Sequence, residues 1–462
     1  MKPLRKQGII LFTILALIMV ACGGSDTAEE TVEATPEVVE TLDSPAVTTA
    51  STVDTGVGVT SDPCPEVIGG IPTGADPSKG CIYLGLLNDY TGPFGPYGIP
   101  LETGQRGFWL WANQTGGVGD YSVAIVEGYD TQYNPQKHLE GYKAQRGEVA
   151  ALAMSLGTPQ TQFILDDMDA DNMIAAPMSW YSGWSYKGSD RGLVVEFGAA
   201  YCADGMNALD WAMANLPVDI KTVGVMGYAG DYGGDYAAGV TAAAEANGIT
   251  VAWEYIVPSS EFDVAQAVGL MVTKPVDAYF PAIGPTFMAQ VAGGAFQQGL
   301  TPIAMMAAPS YNDAFTAEGF ALAPLFQSGS MYLMAFVAPY EAQTPGHAAM
   351  RATLQAMGVD SGNLFLTAGW ASQHHLKGVL EAAVKGGDLT RAGIRRAAAN
   401  VSVSSDGMMP TRELGQDRAD KESFINIPDG SIASGVKMLA SNYVGPSAES
   451  YDFTQGPCYA SG

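Results

Sequence analysis

The sequence is poor in positive charge. Its 462 residues include 22 Lys and Arg against 48 Asp and Glu, which gives a formal net charge of −26, and charged residues of both signs make up only 15% of the chain. Nucleic acids and anionic membrane surfaces are bound by basic patches. The composition therefore argues against both as binding partners.

Signatures of catalysis and of metal binding are also missing. The sequence has no G-x-S-x-G, no G-x-x-x-x-G-K-[ST], no H-E-x-x-H and no Cys-x-x-Cys. Of the four histidines, His138 and His347 are isolated, whereas His374 and His375 are adjacent and would point in different directions on a helix. We therefore expect no enzyme, no metal site and no other cofactor.

Apolar runs long enough for a targeting segment are confined to the N-terminus. A basic start precedes Gly8–Val20, a run of 13 uncharged and mostly apolar residues. This run is too short for a transmembrane helix and suits the core of a signal peptide. The small residues before Cys22 resemble the bacterial lipobox, in which the cysteine is lipidated. We predict a lipoprotein signal peptide over residues 1–22; a plain signal peptide or an uncleaved anchor helix remain alternatives.

The next segment, residues 23–63, has the composition of a disordered acidic tether. It contains nine acidic residues, no Lys, Arg or aromatic residue, and many Thr, Ser, Val and Pro. Such a segment cannot bury enough apolar surface to offset the entropy of ordering it. A tether here would hold a folded domain clear of the membrane.

Four cysteines follow the predicted lipidation site, namely Cys64, Cys81, Cys202 and Cys458. An even number in an exported protein suggests disulfide bonds, and four cysteines allow three pairings. We favour Cys64 with Cys81, which closes a short loop, and Cys202 with Cys458, which ties down the C-terminal tail.

Beyond Cys81, short apolar strands alternate with helices. Examples are the predicted strand Ile82–Leu87, the helix Pro100–Thr115, the strand Thr222–Met226 and the helix Asp235–Asn247. This alternation is typical of βαβ units with parallel sheets. An interruption over residues 182–208 suggests two separate α/β lobes, for which about 400 residues are sufficient.

Five motifs in order are similar to those of a known family. They are the strand and loop of Leu84–Gly98, the helix stop Asn113–Gly119, the turn at Asp130 with Asn134 and Pro135, the pair Tyr232–Gly233, and the Glu261–Asp263 segment. Over residues 80–450 the chain resembles the type I periplasmic solute-binding proteins of ABC transporters, in particular the leucine/isoleucine/valine-binding group.

The resemblance implies an α/β fold of two lobes, each a parallel sheet flanked by helices, that close on a ligand. Three crossovers would join the lobes near residues 197–201, 330–336 and 400. The N-terminal lobe would comprise residues 64–200 and 333–400, and the C-terminal lobe residues 201–332 and 401–462.

The segment Ser155–Pro159 follows a strand, and Thr158 and Pro159 suit the start of a helix. Free backbone N–H groups and the hydroxyls of Ser155 and Thr158 could hold a carboxylate there. A capped helix without a ligand has the same sequence signature. The family binds its ligand's carboxylate at this turn, so the resemblance favours binding.

The resemblance also implies ligand contacts from Tyr97, Tyr232, Ser179 and Trp180. The aromatic residues after Ser179 could line a cleft or could form a small satellite core, and the sequence leaves both readings open.

Ser310 and Tyr311 occupy the segment from which amino-acid binders of the family often pair an acidic residue with the ligand's ammonium. Ser310 stands where that acid is expected, and a buried ammonium without an anionic partner would be costly. An ordinary α-amino acid ligand is therefore in doubt, whereas an amide, a urea-like molecule, an aromatic acid or a small peptide remains open.

We therefore expect an extracytoplasmic lipoprotein, anchored to the membrane by Cys22 alone, that captures a small molecule as a monomer and delivers it to an ABC transporter permease. A protein of the same fold that senses a ligand and signals to a receptor partner is the alternative.

Overall fold

The structure, a computed structural model, describes residues 53–460. The predicted signal peptide 1–22, its Cys22 and the tether up to residue 52 lie outside the described residues. The last part of the predicted tether, residues 53–63, is ordered and forms two short strands. The tether boundary at residue 63 is therefore wrong, because Val53 and Val59 pack against the hydrophobic core.

The first part of the chain forms a lobe around a six-stranded sheet. Its elements are β1 (Asp54–Thr55), β2 (Val59–Thr60), β3 (Val67–Ile68), β4 (Ile71–Pro72), β5 (Gly80–Asn88), α1 (Gly95–Gln114), β6 (Tyr121–Ile125), β7 (Tyr129–Asp130), α2 (Pro135–Gln145), β8 (Ala151–Leu156), α3 (Thr158–Phe163), α4 (Leu165–Asp171), β9 (Ala175–Met178) and α5 (Lys187–Asp190). The strand order is β2-β5-β8-β9, with β6 and β7 also paired to β5.

The second lobe follows as another α/β alternation. It comprises α6 (Tyr201–Asn215), β10 (Thr222–Tyr228), α7 (Tyr232–Asn247), β11 (Thr250–Val257), α8 (Val264–Thr273), β12 (Ala278–Ala282), α9 (Pro285–Gln297), β13 (Ile303–Met306), α10 (Ala323–Phe326) and β14 (Met331–Ala335). These five strands are parallel in the order β11-β10-β12-β13-β14.

The chain then returns to the first lobe and crosses back once more. The returning elements are α11 (Pro345–Ala356), α12 (Leu364–Lys385), β15 (Asp388–Leu389), α13 (Arg391–Ala398), β16 (Ser402–Val403) and β17 (Arg412–Glu413), and the final ones are β18 (Ser423–Pro428), β19 (Val436–Tyr443) and α14 (Pro446–Ser450). The second sheet is extended by β18, which is antiparallel to β14, and by β19, which is antiparallel to β18. The sheets are therefore mixed at their edges, since β2 is also antiparallel to β5.

The crossovers lie where strands and helices change lobe. They cover residues 195–200, 336–344 and 414–422. The predicted boundary at residue 333 falls inside β14, which belongs wholly to the second sheet. The boundary at residue 400 falls before the third crossing, because residues 402–413 still pack on helices of the first lobe, as the contact between Gly346 and Met408 shows.

Close packing of two helices positions one wall of the interlobe region. A Cβ atom on Gly104 of α1 would lie 2.1 Å from the carbonyl oxygen of Leu366, and one on Gly369 of α12 would lie 2.1 Å from that of Leu101. Only glycine permits this approach. Because α1 and α12 are held so close, their N-terminal turns lie side by side, and Tyr97 stacks on Phe365 with ring centroids 3.8 Å apart. Helix α1 corresponds to the helix predicted at residues 100–115, but it begins five residues earlier, at Gly95.

Two disulfides join Cys64 to Cys81 and Cys202 to Cys458, the pairs favoured from the sequence. The second fastens the tail beside the first turns of α6 and α7. Tyr459 of the tail packs against Gly234, and its backbone carbonyl accepts a hydrogen bond from the Tyr181 hydroxyl at 2.8 Å. The tail thus contacts elements of both lobes.

No helix within residues 53–460 has the length and apolar character needed to cross a membrane.

Candidate functional site

A cavity lies between the two lobes, with about 400 Å³ of empty space that is partly open to solvent. It is bounded by the ends of strands and the starts of helices, which is where open α/β sheets bind ligands. The lining residues of the first lobe and its crossover are Phe94, Tyr97, Leu101, Tyr133, Leu156, Gly157, Thr158, Met178, Ser179, Trp180 and Phe365, and those of the second lobe are Tyr201, Asp231, Tyr232 and Pro309. Most of this lining is aromatic or aliphatic.

Asp231 is the one charged residue among those that line the cavity in the described part of the chain. It immediately precedes α7, and its Oδ1 accepts a hydrogen bond from the backbone N–H of Tyr232 at 2.7 Å. The helix can start this close to β10 because residue 233 is glycine. A Cβ atom at this position would lie 2.0 Å from the backbone nitrogen of Tyr228. The Tyr-Gly pair of the sequence therefore places both Asp231 and Tyr232 at the cavity wall.

Tyr133 connects the two lobes through Asp231. Its hydroxyl donates to Asp231 Oδ2 at 2.5 Å. The preceding turn holds Gln132 and Tyr133 at a φ of 52°, a left-handed conformation that non-glycine residues seldom adopt. Burial raises the pKa of Asp231, whereas hydrogen bonds from Tyr133, Tyr232 and Thr158 act in the opposite direction. Burial, and then the Asp231 carboxylate, raise the pKa of the Tyr133 hydroxyl.

Tyr97 forms a second bridge between the lobes. Its hydroxyl donates to the backbone carbonyl of Tyr311 at 2.9 Å, and the carbonyl of Pro309 lies 3.3 Å away. Tyr97 and Pro309 line the cavity from opposite lobes. The structure therefore shows the lobes in a closed arrangement, with hydrogen bonds across the cavity.

Thr158 and Ser179 bring hydroxyl groups to the floor of the cavity. Their oxygens are 2.6 Å apart, and Ser179 Oγ also accepts from the indole N–H of Trp184 at 2.9 Å. Two further polar atoms, the Tyr232 hydroxyl oxygen and Trp180 Nε1, are buried and have no hydrogen-bond partner within residues 53–460. A ligand in the cavity would be the natural partner for such atoms.

Five of the eight predicted site residues line this cavity: Tyr97, Thr158, Ser179, Trp180 and Tyr232. Ser155, Ser310 and Tyr311 do not. Ser155 lies behind the wall, where its hydroxyl bonds to Thr161 at 2.7 Å and to His138 at 2.9 Å.

Ser310 and Tyr311 form hydrogen bonds within the protein and are not among the residues that line the cavity. Ser310 Oγ donates to the carbonyl of Pro281 and accepts from the N–H of Ile283, both at 3.1 Å. Tyr311 offers its backbone carbonyl to Tyr97, while its own hydroxyl donates to the carbonyl of Gly435 at 2.6 Å.

Of the aromatic residues after Ser179, one lines the cavity and others form a small separate core. Trp180 lines the cavity and stacks on Phe336 with ring centroids 3.3 Å apart. Tyr181 and Trp184 instead belong to a separate hydrophobic cluster under the segment.

Two polar cavity residues, Tyr133 and Asp231, are not among the site residues predicted from the sequence. Tyr133 occupies the turn that was recognised as a family motif, and Asp231 precedes the recognised Tyr-Gly pair. The neighbouring motif is therefore the sequence feature that could have identified each residue, since neither residue type by itself indicates a cavity.

Three solved structures illustrate the similarity of the fold. A fatty acid ABC transporter substrate-binding protein from Thermomonospora curvata aligns with a TM-score of 0.76 and 24% identity, over 88% of this chain and 98% of that one. A branched chain amino acid ABC transporter from Thermus thermophilus with bound valine aligns with a TM-score of 0.67 and 14% identity, over 80% and 98%. An R. palustris solute-binding protein in complex with 4-hydroxybenzoate aligns with a TM-score of 0.64 and 14% identity, over 80% and 99%.

A comparison with curated proteins finds no match. The profile of a family described as periplasmic binding protein, in contrast, matches residues 81–423. That stretch contains all three crossovers, every residue that lines the cavity and most strands of both sheets, whereas β2, β19 and nearly all of β18 lie outside it. The chain therefore belongs to the periplasmic binding protein family.

Proposed function

We propose that this protein is an extracytoplasmic solute-binding lipoprotein, which captures a small ligand between its lobes and delivers it to the permease of an ABC transporter. The observation that carries the proposal is the cavity between the closed lobes. Tyr97 and Tyr133 each donate a hydrogen bond to the opposite lobe at its edge. A ligand inside would contact both lobes, so that binding and closure would support one another.

The lining of the cavity supports a small and largely apolar ligand. Ligand pockets typically combine apolar walls with a few polar groups. The cavity here has mostly aromatic and aliphatic walls and offers the polar groups of Thr158, Ser179, Asp231 and Tyr232. The ligands named for the three similar structures, a fatty acid, valine and 4-hydroxybenzoate, are of this general kind.

The lipid anchor at Cys22 and the tether are supported by the sequence alone. Residues 1–22 have the order of a lipoprotein signal, and the residues that follow are acidic and polar. We propose that the folded part is held at the membrane surface as a monomer. Metabolic labelling with an alkyne fatty acid should mark the wild-type protein and should not mark the Cys22→Ser variant; equal labelling would contradict the anchor.

A thermal-shift screen of the full-length protein in detergent tests capture. The screen would contain amino acids, amides, ureas, amines, aromatic acids and fatty acids. A ligand present at one hundred times its Kd should stabilise the folded state by about 2.7 kcal/mol and raise the Tm. If no compound raises the Tm, capture of a small molecule is refuted. Co-purification with a permease then tests delivery.

A further inference from the structure

The charge balance of the cavity indicates what kind of ligand it accepts. Both carboxylate oxygens of Asp231 accept hydrogen bonds, Oδ1 from the N–H of Tyr232 and Oδ2 from the hydroxyl of Tyr133. Hydrogen bonds donated to a carboxylate favour its ionised form, and at Asp231 they counteract the effect of burial on the pKa. Asp231 also caps the start of a 16-residue helix, where negative charge is favoured.

The Asp231 carboxylate has no cationic partner within residues 53–460. The residue is 5% exposed, and it takes part in no salt bridge among the described residues. No Lys, Arg or His is among the described residues that line the cavity. A buried charge that is not paired is costly. A positive charge on the ligand would supply the missing partner.

One further carboxylate, that of Asp313, acts on the cavity residue Tyr97: after burial, it is the group that most raises the pKa of Tyr97. Asp231 itself is the group that, after burial, most raises the pKa of Tyr201. An anionic ligand would therefore enter a region of negative potential and would find no basic side chain there. A cationic ligand would be stabilised in the same place.

Four neighbouring aromatic rings line the cavity together with Asp231. The ring of Phe94 lies 4.5 Å from that of Tyr133 and 6.1 Å from that of Tyr232, and Tyr201 lies 5.4 Å from Tyr232. Faces of such rings attract organic cations, by up to about 2 kcal/mol for a desolvated pair. The unpaired Tyr232 hydroxyl oxygen can accept a hydrogen bond from an ammonium.

From these observations we infer that the cavity selects a compact organic cation, whose ammonium pairs with Asp231 and whose apolar part lies against the neighbouring aromatic rings. This inference rests on the proposed capture function and names its ligand class. It also answers the doubt raised by Ser310, because the anionic partner for an ammonium comes from the start of α7.

Matched probes separate charge from apolar contact. Phenethylamine, 2-phenylethanol and phenylacetate share an aromatic part and differ in the charge at one end; hexylamine, hexanol and hexanoate form an aliphatic set. For at least one set, the amine should bind the full-length wild-type protein at least about thirtyfold more tightly than its alcohol or carboxylate, the smallest effect expected when a buried charge loses its partner. Isothermal titration calorimetry measures the six affinities.

Two variants test whether Asp231 causes the preference for the amine. Asp231→Asn keeps a side chain that caps helices well and should reduce the amine's affinity to that of the alcohol. Asp235→Asn is the control, because Asp235 is a buried acid on the same helix that does not line the cavity. It should leave the preference for the amine unchanged.

Three results would overturn the inference: in both sets, an alcohol or carboxylate whose affinity lies within about thirtyfold of that of its amine, an unaltered preference in Asp231→Asn, or amines that do not bind. If the amines fail while leucine, 4-hydroxybenzoate or laurate binds, the capture function stands and only the inference about charge falls. If no compound of either screen binds, both fall.

Discussion

The hydrogen bond from Tyr97 to the carbonyl of Tyr311 offers a direct test of closure. Tyr97→Phe removes one hydroxyl oxygen and keeps the ring, which stacks on Phe365. The lost bond joins opposite lobes, so its energy stabilises the closed form alone. A neutral hydrogen bond contributes about 0.5–1.5 kcal/mol net, which corresponds to a rise in ligand Kd of about two- to thirteenfold. Calorimetry with the tightest ligand of the screen measures the change.

Tyr236→Phe is the matched control for this prediction. The Tyr236 hydroxyl donates to the backbone carbonyl of Met305 at 2.8 Å, and both residues belong to the second lobe. Its removal should lower the free energy of unfolding by a similar amount and should leave the ligand Kd unchanged, since the bond is present whether or not the lobes close. If Tyr97→Phe leaves the Kd unchanged, or both variants change it equally, Tyr97 does not hold the lobes together.

Two further predictions concern stability. The disulfides Cys64–Cys81 and Cys202–Cys458 span 17 and 256 residues, so their loss as Ala pairs should cost about 3 and about 5.5 kcal/mol by loop-closure entropy. Urea unfolding of the two double variants tests this order, and equal losses would contradict it. Burial raises the pKa of Asp235 to about 7, so the folded state holds its proton between about pH 4 and 7 and stability falls as pH rises through that range. The stability of the wild type relative to Asp235→Asn should fall by up to about 1.4 kcal/mol per pH unit there, whereas parallel pH profiles would refute the shift.

The order of strands and helices could be predicted from the sequence because buried parallel strands are continuous apolar runs. The predicted strand Ile82–Leu87 lies inside β5, and the predicted strand Thr222–Met226 lies inside β10. The two-residue strand β1 could not be predicted in this way. It exists because Asp54 and Thr55 pair with β15, more than three hundred residues later in the chain.

Only those site residues that belong to a recognisable sequence motif could be predicted. Thr158 and Tyr232 follow strands and start helices, and a position at the carboxyl end of a strand determines which way they face. Ser155 is different, because every residue of β8 is buried and the alternation of polar and apolar residues that would show which face is which is missing. The pairing of Tyr133 with Asp231 joins residues 98 positions apart and depends on how the lobes meet, which no local pattern contains.

The interleaved chain path has a consequence for secretion. Strand β14 is wholly buried in the finished sheet, but its partner β18 begins 88 residues later, after all the helices that return to the first lobe. While the polypeptide emerges across the membrane, the apolar edge of β14 stays without that partner until the last forty residues have followed. An open edge of this kind invites association with other chains. The edge of β14 is therefore open to association with other chains until β18 and β19 arrive.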